Sequence, residues 1–430
     1  MTPPLSRDEL IELRRDLHRY PEPAWCEYYT TSRLVDAIEE IGVDELHLGR
    51  DVHADEQRMA LPPKRERERW YDRAVDRDAR SDVLEQARGG FTGGIAVLRQ
   101  GPGPVVALRV DMDALYQSEA TTPTHRPQAA AFRSTNDGVM HACGHDGHMA
   151  IGVGVLQAIK DSEFDGVFKL LFQPAEETAG GAKSMAASGH VDDVDYFFGL
   201  HLGLGRPTGS LVAGIVKPLA VSNFDVEFTG QAAHAGNEPH VGKNCMQAAA
   251  TAVQELYAIP RHSDGVTRVN IGQLESGTSP NAIAASASLR GEVRGETNAI
   301  HDYMERRFRR IIRATGEMHE CDADIEITSD VPRVDSDRTL SKHVAEVAAQ
   351  HDAITDIDLT AEFGASEDAT HLMQAVEGTG GSAVYSIIGT DHPGGHHSPT
   401  FDIDEQSIGV GIEILTDAIS RIDALESATQ

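Results

Sequence analysis

The sequence predicts an α/β fold: a discontinuous domain with a largely parallel mixed sheet flanked by helices, interrupted by an inserted α+β domain. Three observations predict it. Short apolar runs alternate with helical segments from about Gly94 onward, the signature of a mainly parallel sheet. Between Pro218 and about Thr328 the texture changes to period-two strands around two helices. Beyond that stretch Ala383 to Ile388 reads like the runs of the first half, so the chain returns to its first domain. The expected boundaries are 1–217 with 329–430 for the discontinuous domain and 218–328 for the insertion, and 430 residues exceed what one core organises.

Asp8 to Ile41 reads as two helices broken near Pro21 and Pro23, with Leu10, Leu13 and Leu17 at helical spacing. Lys64 to Ala87 is a third helical segment whose charges indicate a solvated face. The strands expected for the sheet are Gly94 to Leu98, Val105 to Val110, Val167 to Phe172, Tyr196 to Leu200 and Ala383 to Ile388, with an apolar helix starting near Met149. The insertion supplies the alternating runs FDVEFTG and ASLRGEVRG and helices over Asn244 to Tyr257 and Ala299 to Thr315. Thr339 to Ala349 is again helical, and no repeat of fixed period is present.

The formal net charge is −30, made by many acids and by only seven lysines: Lys64, Lys160, Lys169, Lys183, Lys217, Lys243 and Lys342. Such a field repels nucleic acid and anionic membrane, so neither is an expected partner. Arginine in place of lysine with this much carboxylate points to a halophilic protein, whose self-repulsion is screened within about 3 Å at 1 M salt. The amino-terminal stretch is charged and amphipathic, without the apolar region of a signal peptide. No run approaches the roughly 20 apolar residues of a membrane span. Cys26, Cys143, Cys245 and Cys321 are too scattered for a disulfide framework, and a cytoplasmic location is expected.

Chemistry gathers where each apolar run ends. Val105 to Val110 leads into Asp111 and Asp113, Val167 to Phe172 into Glu176 and Glu177, Tyr196 to Leu200 into His201, and Ala383 to Ile388 into Asp391, His392, His396 and His397. Ligands of open α/β sheets bind outside the carboxyl ends of the strands, so these acids and imidazoles should converge in one crevice. The densest cluster, His141-Ala-Cys-Gly-His-Asp-Gly-His148, lets Cys143 and His145 turn toward one ion on glycine-loosened backbone. Of the adjacent Glu176 and Glu177, one can ligate while the other takes a proton from water. A buried structural cysteine and a solvated acidic pair are the plain alternatives.

RVDMDAL (Arg109 to Leu115), MHACGHDGH (Met140 to His148), FQPAEE (Phe172 to Glu177), the HLG at His201, GQAAHAG (Gly230 to Gly236) and HHSPTFDIDE (His396 to Glu405) run in order along the chain. Together they resemble the M20 metallopeptidase family, in its amidohydrolase branch. Within that branch the closer resemblance is to the p-aminobenzoyl-glutamate hydrolase group. It is carried by the charged insertion RMALPPKRERERWYDRAV before GGFTGGIAVL, by THRPQ, and by GASEDATHLM at Gly364 to Met373.

The resemblance implies two divalent ions per subunit, zinc or manganese, bridged by Cys143 and completed by His145, Glu177, His201 and His397. His397 is preferred to His396 because it directly precedes Ser-Pro. Glu176 would be the general base and Asp113 would orient a ligating imidazole. In the inserted domain, expected to act as lid and dimerisation element, His234 would reach a neighbouring active site and polarise the scissile carbonyl. Asn281 and Arg294 would bind the substrate carboxylate, although Ala284 stands where many relatives have proline. The expected activity is cleavage of an N-acyl amino acid amide, p-aminobenzoyl-glutamate or a related aromatic conjugate, by a homodimer or a heterodimer with a homologous subunit. Alternatives are an aminoacylase or dipeptidase of the same family, a partner-dependent or non-catalytic subunit, and a hydrolase using Cys143 as nucleophile.

Overall fold

A computed structural model describes residues 5–423 and 425. The strands, in chain order, are β1 Glu45–Leu48, β2 Gly94–Arg99, β3 Val105–Asp111, β4 Val167–Gln173, β5 Tyr196–Leu202, β6 Ser210–Val212, β7 Ile215–Val216, β8 Ala220–Thr229, β9 Thr267–Ser276, β10 Ser286–Gly295, β11 Asp322–Val331, β12 Asp356–Asp358, β13 Ala361–Glu362 and β14 Ser382–Ile388. Eight of them form one sheet in the order β1-β2-β4-β3-β5-β14-β6-β12. Within it β4, β3, β5 and β14 run parallel to one another, β1–β2, β2–β4 and β14–β6 pair antiparallel and β6–β12 parallel, so the sheet is mixed and its centre is parallel.

The described residues divide into two compact units. One holds those up to Val216 with Val334–Phe363 and those from Glu367 on; the other holds Lys217–Arg333 with Gly364–Ser366. In the second unit a four-stranded antiparallel sheet, β11-β8-β10-β9, packs against helices Cys245–Tyr257 and Asn298–Met318. Alternate residues of its strands, such as Phe224, Val226, Phe228, Leu289 and Val293, meet Met304, Phe308 and Ile312 of the longer helix.

In the first unit both faces of the sheet are covered. Val106, Leu108 and Val110 of β3 join Leu17, Ile38, Ile151, Leu156 and Ile414 on one face. Ala107 of β3, Leu171, Phe197 and Tyr385 join Met185, Leu372 and Met373 on the other. Burying each Val, Leu, Ile, Phe or Met among them contributes about 1.5–3 kcal/mol, and burial on both faces is why these strands read as continuous apolar runs.

Local sequence explains the helix ends. Arg7–Arg19 starts at a capping box in which Ser6 and Glu9 exchange side-chain and backbone hydrogen bonds. The two proline-separated helices expected up to Ile41 are Arg7–Arg19 and Tyr28–Ile41. The segment read as one solvated helix, Lys64 to Ala87, is instead two, Lys64–Val75 and Ser81–Ala87, separated at Asp78 with φ 56°. Trp70, Ala74, Leu84 and Ala87 are buried with Tyr28, so this segment has an apolar face that its charge density concealed.

The helix expected from Met149 begins earlier, at His145, and runs to Lys160. Gly144 stands at its N-cap with φ 92°, a left-handed backbone that glycine adopts freely. Gly152 brings the helix against β3, where a Cβ would lie 2.9 Å from Val110 Cγ1. Among the described residues no helix is long and apolar enough to cross a membrane.

Candidate metal centre

The carboxyl ends of the adjacent strands β4, β3, β5 and β14 point to one edge of the sheet, and the chemistry sits there. Asp111 ends β3, Gln173 ends β4 three residues before Glu176, and His201 lies near the end of β5. Ala175 and His397 have φ of 57° and 61°. Non-glycine residues held there cost free energy and cluster at functional sites.

Hydrogen bonds assign the imidazole tautomers. His145 Nδ1 donates to the Asp113 carbonyl at 2.8 Å, which leaves a lone pair on Nε2. That Nε2 lies 3.7 Å from Glu176 Oε2, 3.8 Å from Glu177 Oε1 and 3.7 Å from Asp111 Oδ1. His145 Nε2 and Glu177 Oε1 are both buried without a hydrogen-bond partner. A lone pair facing three carboxylates is stable only with a positive charge among them, either a proton or a metal cation. Burial works against the imidazolium, yet Asp111 and Asp113 outweigh it and raise the His145 pKa well above the usual range.

His201 Nδ1 donates to its neighbour's carbonyl, Leu202 O, at 2.8 Å, and its Nε2 faces Cys143 Sγ at 3.4 Å. Burial, followed by the charge of Glu177, pushes the Cys143 thiol well up. A thiol pushed up in this way lacks the depressed pKa of a cysteine nucleophile, and a bound cation is what would draw off its proton. Thiolate, imidazole and carboxylate together form the donor set of a borderline divalent ion such as zinc. The orphaned nitrogen and oxygen aimed at each other beside the thiol fit such an ion.

The two adjacent histidines come to different sides. His396 groups with Cys143 and His201, their ligand atoms all within 4.8 Å of one another, and its Nε2 donates to Leu202 O at 3.1 Å. His397 is 56 % exposed in its side chain, with Nε2 3.4 Å from Glu177 Oε2, and its backbone N–H donates to Ala142 O. Cys143, His145 and Glu177 form a second such group.

Asp113 braces the acidic pair: its carboxylate accepts the backbone N–H groups of Glu176 at 2.9 Å and Glu177 at 3.1 Å. The imidazole that its carboxylate was expected to orient is held chiefly by its carbonyl, the carboxylate Oδ1 standing 3.6 Å from His145 Nδ1.

Several contributors are absent from the sequence expectations. His148 Nε2 accepts from the Leu202 N–H at 2.9 Å while Nδ1 donates to Asp111 at 2.6 Å, so both nitrogens are used and the ring anchors the strand end that carries His201. Asp111 also accepts from Arg109, whose fully buried guanidinium donates to Gln173 Oε1 and Asp368 Oδ1 and lies 3.2 Å from Glu367 Oε1. Glu367 in turn accepts from the Tyr385 hydroxyl at 2.6 Å. Glu176, Glu367 and Asp368 hold carboxylate oxygens within 4.8 Å of one another. Burial is the main cause that raises Glu176 well above the carboxylate range, with Glu367 and Glu177 adding to it. Burial likewise raises Glu177 to about 7, with Asp113 and Asp111 adding, and Asp368 to about 7, with Glu367 adding. The signal available in sequence was the motif itself: Arg109 and Asp111 within RVDMDAL, and the acids of GASEDAT.

In the second unit His234 Nδ1 accepts from the N–H groups of Gly236 and Asn237, both at 3.2 Å, so its proton sits on Nε2, on an exposed loop. Its backbone bridges to Ala282, next to Asn281, whose carbonyl accepts from Ala235 N–H. Arg294 is not brought to them. It lies eight residues beyond Ser286 in β10, about 27 Å along an extended strand, and its guanidinium is paired bidentately with Glu292.

The chain resembles known proteins along nearly its whole length. Indole-3-acetyl-aspartic acid hydrolase of Enterobacter agglomerans is 42 % identical over 414 residues, covering 95 % of this chain and 94 % of that protein. One subunit of the p-aminobenzoyl-glutamate hydrolase of Escherichia coli K12 is 41 % identical with the same coverage. The crystal structure of an aminobenzoyl-glutamate utilization protein from Klebsiella pneumoniae superposes with a TM-score of 0.80 at 35 % identity, over 96 % of this chain and 95 % of that one. The description of peptidase family M20/M25/M40 matches residues 107–421, and with these relatives it identifies the chain as a member of that family and a metal-dependent amidohydrolase.

Proposed function

We propose that the chain is a two-metal hydrolase of N-acyl amino acids, with p-aminobenzoyl-glutamate or a related aromatic acyl-amino acid conjugate as substrate. The observation that carries the metal assignment is the buried, unpartnered pair His145 Nε2 and Glu177 Oε1 beside the Cys143 thiol. Cys143, His145, Glu177, His201 and His397 would hold the ions, with His396 the alternative to His397. The substrate class rests on the names of the relatives, which act on an indole-acetyl-aspartate and an aminobenzoyl-glutamate.

Bound divalent ions, zinc or manganese, would supply a Lewis acid for the amide oxygen and lower the pKa of water from 15.7 toward about 7. Glu176 takes the proton of the attacking water and delivers it to the leaving nitrogen, a role suited to a buried carboxyl held above the usual carboxylate range. Asp113 keeps Glu176 and Glu177 in register through their backbone N–H groups. The Nε2–H of His234 serves as a donor to the developing oxyanion, worth roughly 3 kcal/mol where such a donor is removed. Arg294 receives the free carboxylate after exchanging Glu292 for it, and Asn281, which the fold keeps far from Arg294 in the same chain, would join it only from a neighbouring copy. The inserted unit would act as lid and dimerisation element.

The test is hydrolysis of p-aminobenzoyl-glutamate and indole-3-acetyl-aspartate by the purified chain, before and after EDTA and after return of Zn²⁺ or Mn²⁺, with metal content measured on the same samples. Activity indifferent to chelation, or no turnover of either conjugate at full metal occupancy, refutes the reading. The Escherichia coli relative is one subunit of its hydrolase, which supports a second reading, that the chain works with a homologous partner. A chain silent alone and active only when that partner is added selects it.

A further inference from the structure

We propose that His47, Asp51 and His190 form a separate binding site for a borderline divalent cation such as Zn²⁺, Ni²⁺, Cu²⁺ or Co²⁺, at the β1 edge of the eight-stranded sheet. His47 lies on β1, Asp51 in the 3-10 turn that follows, and His190 in the connection between helix Ala182–Ala186 and β5. Their ligand atoms all lie within 4.8 Å of one another, and the two imidazole centroids are 4.5 Å apart. None of the three belongs to the centre described above.

The hydrogen bonds around His47 call for a cation. Its Nδ1 stands 2.7 Å from Asp51 Oδ2 and its Nε2 3.1 Å from Glu45 Oε2. A neutral imidazole carries one N–H, so it can donate to only one of these carboxylates, and toward the other it turns a lone pair. Glu45 is the fixed partner: its second oxygen is held by Arg99 Nε at 3.0 Å and Nη2 at 2.7 Å. The proton therefore belongs on Nε2, and the Nδ1 lone pair and Asp51 converge where an ion makes both contacts attractive. A ligating histidine whose other nitrogen donates to an anchored carboxylate is the usual second layer of a metal site.

His190 completes the group: its Nε2, 3.6 Å from the same Asp51 Oδ2, donates to the Asp51 carbonyl at 3.1 Å, a bond that the ring would exchange for the ion. An ion bound at 2.0–2.1 Å in tetrahedral geometry holds its donors about 3.4 Å apart, so these side chains close on it with movements of about 1 Å. His47, Asp51 and His190 side chains are 25 %, 61 % and 21 % exposed, which leaves room for that movement and an open position for water. Two imidazoles and one carboxylate select borderline metals over calcium or magnesium. The bound ion would fasten the edge strand to the connection before β5.

The full chain is loaded with Zn²⁺, freed of loose metal by gel filtration, and its zinc counted per chain. His190→Ala, in a connecting segment, and His47→Ala are each expected to hold one ion fewer than the unmodified chain. Glu45→Gln is expected to bind that ion 10–100-fold more weakly. The ions of the hydrolytic centre are common to all four proteins and cancel in the comparison. Equal zinc content throughout, or a loss in only one of the two histidine variants, overturns the proposal.

Discussion

Arg109 and Asp111, two residues apart on the same face of β3, form a fully buried ion pair at 2.8 Å. Asp111 passes this restraint to His148, and His148 to the Leu202 N–H, so the strand end carrying His201 is anchored through three polar contacts. Asp111→Asn is expected to weaken metal binding by 10–100-fold. It is also expected to cost about 1–3 kcal/mol of stability, because Arg109 loses one of its three buried carboxylate partners and His148 loses the acceptor of its Nδ1–H. Metal titration and denaturant unfolding check the two effects separately.

Glu176 and Glu177 share a backbone brace but face different neighbours, and their substitutions should separate. Glu176→Gln is expected to keep its metal and lose turnover by about 10²–10⁴-fold. Glu177→Gln is expected to lose metal as well as activity. Metal content and kcat measured on the same preparations decide the matter, and a Glu176→Gln enzyme with undiminished kcat would remove it as the base.

His18 is buried between Asp146, 2.8 Å from Nδ1, and Glu119, 3.0 Å from Nε2. Burial alone would lower its pKa, but the two carboxylates raise it from 6.5 to about 9. The folded protein then binds a proton that the unfolded chain releases above pH 6.5. The stabilisation, on the order of 3 kcal/mol, is complete below pH 6.5 and lost as pH rises through about 9. Melting temperatures across this range should fall more steeply for the unmodified chain than for His18→Gln.

Glu292 occupies the guanidinium that the substrate carboxylate is proposed to use. Glu292→Gln is expected to lower KM by several-fold with little change in kcat. Arg294→Lys is expected to raise KM, since an ammonium cannot replace the planar fork. Steady-state kinetics on one aromatic conjugate read both, and an unchanged KM for Arg294→Lys removes the residue from carboxylate recognition.

A net charge of −30 opposes the compact state at low ionic strength. Raising KCl from millimolar to molar is expected to raise the melting temperature, as the screening length shrinks to about 3 Å. A melting temperature that does not change with salt would remove the halophilic reading.

The sheet and its strand-end chemistry were legible in the sequence because a strand buried on both faces must be apolar throughout. Runs such as Val167 to Phe172 therefore announce both themselves and the polar residues that follow. The division of the Lys64 to Ala87 segment was not legible, since Trp70 and Leu84 are outnumbered by charges and the break at Asp78 is a single left-handed residue. The motif favoured His397 over His396, but the direction each ring takes was not legible, because adjacent residues differ in direction only once the backbone, here with φ 61° at His397, is known. The work of His148 and Arg109 was hidden for a similar reason: both act through partners distant in sequence.

The strand β14 lies between β5 and β6 and pairs with both, although the whole of the second unit separates it from them in sequence. During synthesis the first half emerges with a gap in its middle that only a segment near the carboxyl end can fill. Contacts spanning so much chain make folding slow and leave strand edges exposed in the interval. His396 and His397 follow β14, so on the proposed assignment a nascent chain lacks their imidazoles until the gap is filled, and hydrolytic competence arrives last.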